Sequence, residues 1–189
     1  MNQVCKTVLI GDSGCGKTSL VQRLSKGTFN ETQQATVGAT FVDIEFKDVA
    51  GGSNKLRIWD TCGQEMFRSV VPMYFRNSSC VLLVFDINNM ESFKGMNSWL
   101  SVALSSAPEE TPVVVLGTKS DLYHAVPDSI INDFVKPRGY YYFEVSSKTN
   151  EGVKEAFDEI FKVALARQVR MVKKQQDKID EEIDKQKCC

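Results

Sequence analysis

The sequence predicts an α/β domain whose mostly parallel sheet is covered by helices on both faces. Three observations support this fold class: short apolar runs recur along the chain, helical patterns separate them, and a glycine-rich octet joins the first run to the first helix. The β-rich runs at residues 81–87, 112–121 and 140–147 are expected of parallel strands buried on both faces. We therefore expect ligands to bind beyond the carboxyl ends of the strands.

The elements follow in order from the first apolar run, Val4–Ile10, which predicts a buried strand. Residues 37–49 and 55–60 flank the turn sequence AGGSN and predict a β-hairpin, which adds one antiparallel edge strand. With the three later runs, the predicted sheet has six strands. The predicted helices are residues 19–27, 93–106, 128–135 and 153–169.

Length and composition indicate a domain that folds in a reducing compartment. The chain has 189 residues, of which 42% are hydrophobic, so it can bury a core without disulfides. A net charge of −1 gives no indication of nucleic-acid binding. The six cysteines follow neither a disulfide framework nor a metal-ligand spacing, which suits the cytosol. We expect no cleaved signal peptide and no membrane span.

Residues 168–189 are predicted to form a flexible tail after a domain of residues 1–167, because the segment is polar and charged. Its sparse apolar residues leave open an amphipathic helix instead. The chain ends in Cys188 and Cys189. Two prenyl chains on these thiols would anchor the protein firmly, whereas one chain binds a membrane marginally. Two unmodified thiols are the alternative.

Residues 11–18 read GDSGCGKT and match the phosphate-binding pattern G-x-x-x-x-G-K-[ST]. The glycines allow turn conformations in which backbone amides cradle phosphate oxygens at a helix N-terminus. Lys17 would reach the β- and γ-phosphates, and Thr18 would offer its hydroxyl to Mg²⁺. A glycine turn that binds nothing is the alternative. The predicted contact residues are Ser13, Gly14, Cys15, Gly16, Lys17, Thr18 and Ser19.

The segment WDTCGQ closes the third predicted strand and supplies a second set of phosphate-side residues. Asp60, at the strand end, can hold Mg²⁺. The amide of Gly63 can approach a γ-phosphate because no side chain crowds it. The amide group of Gln64 can orient an attacking water. We therefore predict Gln64 and Lys17 as the catalytic residues and Asp60 as a metal residue.

Two motifs at later strand ends predict a guanine site. The carboxylate of Asp121, in GTKSD, can accept hydrogen bonds from N1–H and the exocyclic amine of guanine, a donor pair that adenine lacks. In VSSK, the Ser147 amide could meet the guanine carbonyl, while the stem of Lys148 could pack on the ring. Lys119 can lie along the base or brace the phosphate loop. The predicted base-side residues are Thr118, Lys119, Asp121, Ser146, Ser147 and Lys148.

Alternation in the predicted hairpin places Phe41 and Trp59 on otherwise polar faces. We interpret the pair as an exposed aromatic patch that binds a partner. Cover by a neighbouring helix is the alternative.

Cys15 is placed at a helix N-terminus, a position that favours the thiolate form of cysteine. This position raises the hypothesis that nucleotide binding is redox-sensitive.

These motifs together resemble the Ras-like small GTPases, and most closely the Rab family. The segments KLRIWDTCGQEMFRSV, MYFRNSS and LLVFDIN are similar to Rab segments, as is the Cys-Cys ending. The resemblance covers essentially the whole chain. It implies a P-loop NTPase fold (a G domain), GTP or GDP bound with Mg²⁺, slow GTP hydrolysis, and a membrane-anchored switch in vesicle trafficking.

The resemblance also implies roles for particular residues. Thr36 would bind Mg²⁺ and sense the γ-phosphate, and Phe29 would pack against guanine. An effector-binding aromatic triad would consist of Phe41, Trp59 and Tyr74. Thr118 stands where Rabs usually have asparagine. Since a hydroxyl can make a single shorter contact in place of the amide, we expect guanine binding to persist, with faster exchange.

The partners implied are effectors on the switch segments and the aromatic patch, an exchange factor, a GTPase-activating protein and an escort or GDI-type chaperone for the prenyl groups. No nucleic acid is expected. The implied location is the cytoplasmic face of an endomembrane, cycling with the cytosol. Two rivals stay open: a P-loop kinase acting on a small molecule, and a module that holds GTP without hydrolysing it. The kinase alternative explains neither the TKSD motif nor the Cys-Cys ending.

Overall fold

Strands and helices alternate through most of the chain in a computed structural model, which describes residues 3–36, 38–47, 52–63 and 71–187. The strands are β1 (Val4–Ile10), β2 (Ala39–Lys47), β3 (Ser53–Thr61), β4 (Cys80–Asp86), β5 (Val113–Thr118) and β6 (Tyr141–Val145). The helices are α1 (Lys17–Lys26), α2 (Met90–Ser106), α3 (Asp128–Val135) and α4 (Val153–Lys187). Short 3₁₀ turns occupy Val71–Phe75 and Lys136–Arg138.

The strands form a six-stranded sheet in the order β2-β3-β1-β4-β5-β6. The β2–β3 pair is antiparallel, with Phe41 opposite Trp59, and the other four pairs are parallel. The predicted fold class is therefore confirmed, including the antiparallel edge strand from the hairpin. Strands β3, β4, β5 and β6 run parallel to β1. The carboxyl ends of these five strands therefore meet at one edge of the sheet.

Two apolar clusters cover the two faces of the sheet. Leu9 and Leu82 point to one face, where they pack with Phe157 of α4, while Ile10 and Phe85 point to the other, where they pack with Trp99 of α2. All of these side chains are fully buried. Neighbouring residues of the central strands thus enter different cores, which explains why the strand sequences are continuously apolar rather than alternating.

Helix α4 continues through Lys187, where a solvated linker was expected after residue 167. Its middle is tied to the domain: Arg167 is buried and its Nη2 donates to the Glu109 carbonyl, and Ser79 Oγ donates to Gln168 Oε1 at 2.7 Å. Beyond these contacts the sequence is rich in Lys, Gln and Glu, which favour helix without needing burial. Within the described residues, no helix combines the length and apolar character that a membrane crossing requires.

Candidate nucleotide-binding site

A cavity of about 420 Å³ opens at the carboxyl edge of the sheet. Its walls come from the phosphate loop, the first turn of α1, residues 29–36, the ends of β3 and β5, and residues 147–148. The predicted residues that line it are Ser13, Gly14, Gly16, Lys17, Thr18, Ser19, Phe29, Thr36, Gly63, Thr118, Lys119, Asp121, Ser147 and Lys148. The structure therefore brings the phosphate loop together with the base-side motifs, which lie more than half the chain further on.

The phosphate loop is shaped around a buried ammonium group. Gly14 and Gly16 have φ values of 76° and 91°, which favour glycine. Lys17 is buried, and its Nζ donates to the carbonyls of Gly11 at 2.7 Å and Asp12 at 2.8 Å. A Cβ on Gly63 would lie 2.4 Å from this Nζ, so only glycine allows β3 to end so close to the loop. Lys17 thus stands between the loop and the Gly63 backbone, as a γ-phosphate contact requires.

Three oxygen-bearing side chains meet beside Lys17. Thr18 Oγ1 donates to Asp60 Oδ2 at 2.7 Å and lies 2.6 Å from Thr36 Oγ1. The other carboxylate oxygen of Asp60, Oδ1, is buried and has no hydrogen-bond partner among the described residues. Burial raises the pKa of Asp60, while the Thr18 hydroxyl and the Lys17 charge act in the opposite direction. Hydroxyl and carboxylate oxygens are the ligands Mg²⁺ prefers, so this donor set fits that ion.

On the base side, Ser146 lies behind Asp121 rather than in the cavity wall. Its hydroxyl donates to Asp121 Oδ1 at 2.6 Å and accepts a 3.1 Å hydrogen bond from the Thr149 amide. Its own amide donates to the Glu151 carbonyl. Ser146 is fully buried, and these hydrogen bonds hold its hydroxyl in place. The hydroxyl therefore orients the Asp121 carboxylate to which it donates.

Thr118 and Lys119 brace the walls between the base and phosphate ends. The Thr118 hydroxyl lies 2.6 Å from the Cys15 carbonyl and 2.9 Å from the Phe85 carbonyl, so its one proton ties β5 to the phosphate loop or to β4. Lys119 has a φ of 62° and pairs with Asp86 Oδ2 at 2.6 Å. The sequence motifs did not predict a role for Asp86. Its position at the end of a buried strand, where the other site residues also lie, could have indicated one.

Cys15 contradicts the redox hypothesis. Its side chain is 1% exposed and does not line the cavity. Burial raises the pKa of its thiol, and this effect outweighs the nearby Lys17 ammonium. A buried thiol with a raised pKa is a poor nucleophile and a poor target for peroxide. The expectation of a thiolate at the helix N-terminus was therefore wrong, because burial outweighs the position at the helix end.

The predicted aromatic residues form one continuous row. The ring centroids of Phe41 and Trp59 lie 5.2 Å apart, and those of Trp59 and Tyr74 lie 5.3 Å apart. Phe41 is 51% exposed, whereas the other two rings are half-buried and pack against the core cluster on the α2 face. The row is thus part surface and part core. Gln64, Cys188 and Cys189 lie outside the described residues.

This geometry defines a class of protein: an α/β domain with a phosphate loop, a donor set that fits Mg²⁺, and a carboxylate, Asp121, that lines the same cavity. A family model described as the Ras family matches residues 6–166. The chain belongs to this family. It is 38% identical over 157 residues to Ras-related protein Rab-5B of Plasmodium falciparum, covering 82% of this chain and 75% of that protein.

Two further relatives agree. GTP-binding protein ypt5 of Schizosaccharomyces pombe is 38% identical over 160 residues, which are 83% of this chain and 76% of that protein. Ras-related protein Rab-30 of Homo sapiens is 38% identical over 154 residues, 80% and 75% of the two chains. The chain is a Rab-like small GTPase that binds GTP and GDP with Mg²⁺ and hydrolyses GTP. The rival kinase and the non-hydrolysing module are thereby excluded.

Proposed function

We propose that this Rab-like GTPase is a membrane-anchored switch of vesicle trafficking, with residues 1–167 as the nucleotide-binding domain and residues 168–189 as the tail that carries the lipid. The observation that carries the proposal is the contact of Thr18 with both Asp60 and Thr36. These residues belong to three separate segments: α1, the end of β3 and the loop before β2. A ligand at this junction can hold all three segments together.

At the phosphate end of the cavity, we assign the backbone amides of the phosphate loop and the Lys17 ammonium to binding of the β- and γ-phosphates. Thr18, Thr36 and Asp60 would hold Mg²⁺, which, when bound, neutralises charge on the β- and γ-phosphate oxygens. We assign Phe29 and the stem of Lys148 to the two faces of the guanine ring, since both line the same cavity as Asp121.

Hydrolysis forms a bond from a water oxygen to the γ-phosphorus and breaks the bond to the β–γ bridging oxygen, so that GTP and water give GDP and phosphate. Gln64 is assigned to orient that water, and Lys17 to stabilise charge on the phosphoryl oxygens. Because none of these sequence motifs marks an arginine finger supplied in cis, we expect an intrinsic rate on the order of 10⁻⁴ s⁻¹. A GTPase-activating protein is expected to supply the missing cation.

The switch follows from the same contacts. Thr36 and the Gly63 amide are the groups that would sense the γ-phosphate, and loss of that phosphate would release both segments. The row of Phe41, Trp59 and Tyr74 adjoins them through β2 and β3, so an effector that binds the row would also contact a switch segment. Rab proteins in general work with effectors, exchange factors, activating proteins and a GDI-type chaperone, and we propose the same partner classes here.

The tail connects this switch to a membrane. We propose that Cys188 and Cys189 are prenylated and that the protein cycles between the cytosol and the cytoplasmic face of an endomembrane. Seven basic and five acidic residues lie from Arg167 onward, so electrostatic attraction to anionic lipid is weak and the lipid chains supply the affinity.

Two measurements test the function directly. Nucleotide extracted from the purified protein should be GDP or GTP, and adenine nucleotides should not compete. Protein loaded with GTP should then release phosphate in a single turnover, at the slow rate given above, and should require Mg²⁺. A purified protein that retains no guanine nucleotide, or prefers ATP, would overturn the proposal.

A further inference from the structure

We propose that Arg23 is a positioning residue that fixes the base-side segment of residues 147–148 to α1 and thereby slows the release of guanine nucleotide. The proposal rests on the assignment of Ser147 and Lys148 to the base. Arg23 does not itself line the cavity. It lies near the C-terminal end of α1, where a sequence pattern offers only a favourable interaction with the helix dipole.

The guanidinium of Arg23 is bonded through all three of its nitrogens. Nε donates to the Ser147 carbonyl at 2.6 Å, and Nη2 donates to the Lys148 carbonyl at 3.1 Å. Nη1 donates at 2.6 Å to the carbonyl of Gly27, the C-cap residue of α1. Two neighbouring donors thus hold two successive carbonyls, and the third fixes the guanidinium to its own helix. Arginine alone offers this planar set of donors.

These bonds connect opposite ends of the cavity. Helix α1 begins at Lys17, on the phosphate side, while Ser147 and Lys148 lie on the base side, and Arg23 joins them across 124 and 125 residues of sequence. Because the two carbonyls are held, the Ser147 amide and the Lys148 stem keep a fixed position relative to the phosphate loop. A nucleotide that contacts both ends then meets a prearranged site.

Among the described residues, this segment also contacts the cavity wall through the ion pair between Lys148 Nζ and Glu31 Oε1, at 3.0 Å. Its side chains are 55% and 72% exposed, so solvent and salt screen it and its contribution is small. Arg23 is half-buried, and its bonds are charge-assisted, which makes them about twice as strong as neutral ones. We therefore assign the restraint to Arg23 rather than to the ion pair.

The test measures release of a fluorescent GDP from the full chain after excess unlabelled GDP is added. Arg23→Met keeps the length of the stem and removes all three donors, and we expect release roughly ten- to a hundredfold faster. Arg23→Lys keeps the charge but cannot hold two carbonyls, so an intermediate acceleration is expected. Lys26→Met, an exposed residue in the same turn, is the matched control and should release GDP at the unchanged rate.

A second arm separates the role of Arg23 from the binding of Mg²⁺ at the phosphate end. Removing Mg²⁺ with EDTA weakens the phosphate end, so its effect should multiply with that of Arg23→Met, as for independent sites. Unchanged release in Arg23→Met, full restoration of slow release by Arg23→Lys, equal acceleration in Lys26→Met, or loss of the Arg23 effect in EDTA would each overturn the proposal. Failure of the proposed function would appear differently, as absence of guanine nucleotide from the unaltered protein.

Discussion

The indole Nε1 of Trp99 donates a 2.7 Å hydrogen bond to Oδ1 of Asp12 and so joins α2 to the phosphate loop across 87 residues of sequence. The backbone carbonyl of Asp12 in turn accepts from Lys17. Asp12 therefore contacts α2 with its side chain and the Lys17 ammonium with its backbone carbonyl. Gly95 makes room for it, since a Cβ there would lie 2.2 Å from Asp12 Oδ2.

Trp99→Phe removes the donor and keeps most of the buried ring. We expect a loss of about 1–3 kcal/mol in the free energy of unfolding, because a charged acceptor loses a hydrogen bond, together with faster nucleotide release. Denaturant unfolding at saturating GDP measures the first, and fluorescent-GDP release the second. Asp12→Asn is the milder comparison, because the amide oxygen still accepts from the indole. Equal losses in both variants would contradict this role of the carboxylate.

We expect Gly95→Ala to lower the stability of the protein, although a glycine-to-alanine change within a helix usually raises it. Alanine ordinarily stabilises a helix by about 1 kcal/mol relative to glycine. Here the new methyl would displace the Asp12 carboxylate from Trp99, so we expect net destabilisation by thermal unfolding. Asn97→Ala, at an exposed position of α2, is the control and should be neutral or stabilising. Stabilisation by Gly95→Ala would show that Asp12 relocates without cost.

Ser146→Ala removes the hydroxyl that orients Asp121 and should weaken GDP binding about ten- to a hundredfold. The diagnostic readout is selectivity between GDP and inosine diphosphate, which lacks the exocyclic amine. If Ser146 acts through the carboxylate, the preference for GDP should shrink, because the bond between that amine and Asp121 is weakened. Equal weakening for both nucleotides would instead point to a general effect of the buried cavity left at position 146.

Cysteine labelling tests the burial of Cys15, which contradicted the hypothesis of redox-sensitive nucleotide binding. Burial raises the pKa of Cys5 to about 11 and that of Cys80 to about 12, and it also raises the pKa of Cys15. A raised thiol pKa means less thiolate at neutral pH, so reactivity should appear only in strongly alkaline solution or on unfolding. In the Cys188→Ser, Cys189→Ser variant, all four remaining thiols, including that of Cys62, are buried, so we expect no rapidly reacting thiol at pH 7.5. Stoichiometric labelling of Cys15 in the GDP-bound protein would contradict its burial.

Gln64→Leu should slow single-turnover hydrolysis at least tenfold while leaving GTP affinity within a few-fold, because leucine cannot orient a water. Phosphate release after GTP loading measures the rate, and nucleotide competition measures the affinity. Gln33→Leu, at a polar residue elsewhere in the cavity wall, serves as a comparison for nonspecific effects. An unchanged hydrolysis rate in Gln64→Leu would remove Gln64 from the mechanism.

Replacing both terminal cysteines with serine should move the protein from membrane to cytosol in cell fractionation. The lipid chains are expected to supply nearly all the membrane affinity, since the tail carries little excess positive charge. A charge-reducing control, Lys185→Gln with Lys187→Gln, should leave the membrane fraction nearly unchanged. Persistence of the double serine variant on membranes would argue against the lipid anchor.

The site residues that the sequence could propose are those for which one short segment contains the whole chemical pattern. The octet GDSGCGKT needs only its own glycines, Lys17 and Thr18 to be recognised, and strand ends could be placed because apolar runs stop there. Cys15 shows the limit of local reasoning. Its position at a helix start suggested a thiolate, whereas its burial was decided by strands and helices from the rest of the chain.

The sequence by itself determined the fold class, the phosphate loop, the two sets of strand-end motifs and the family. Tertiary structure alone decided the supporting contacts: Trp99 with Asp12, Arg23 with Ser147, and Thr118 with Cys15, which join residues 87, 124 and 103 positions apart. The physical reason is that such pairs depend on strand order, register and the rotation of each helix on the sheet. These are set by packing of the two apolar cores, and no local pattern around either partner contains them.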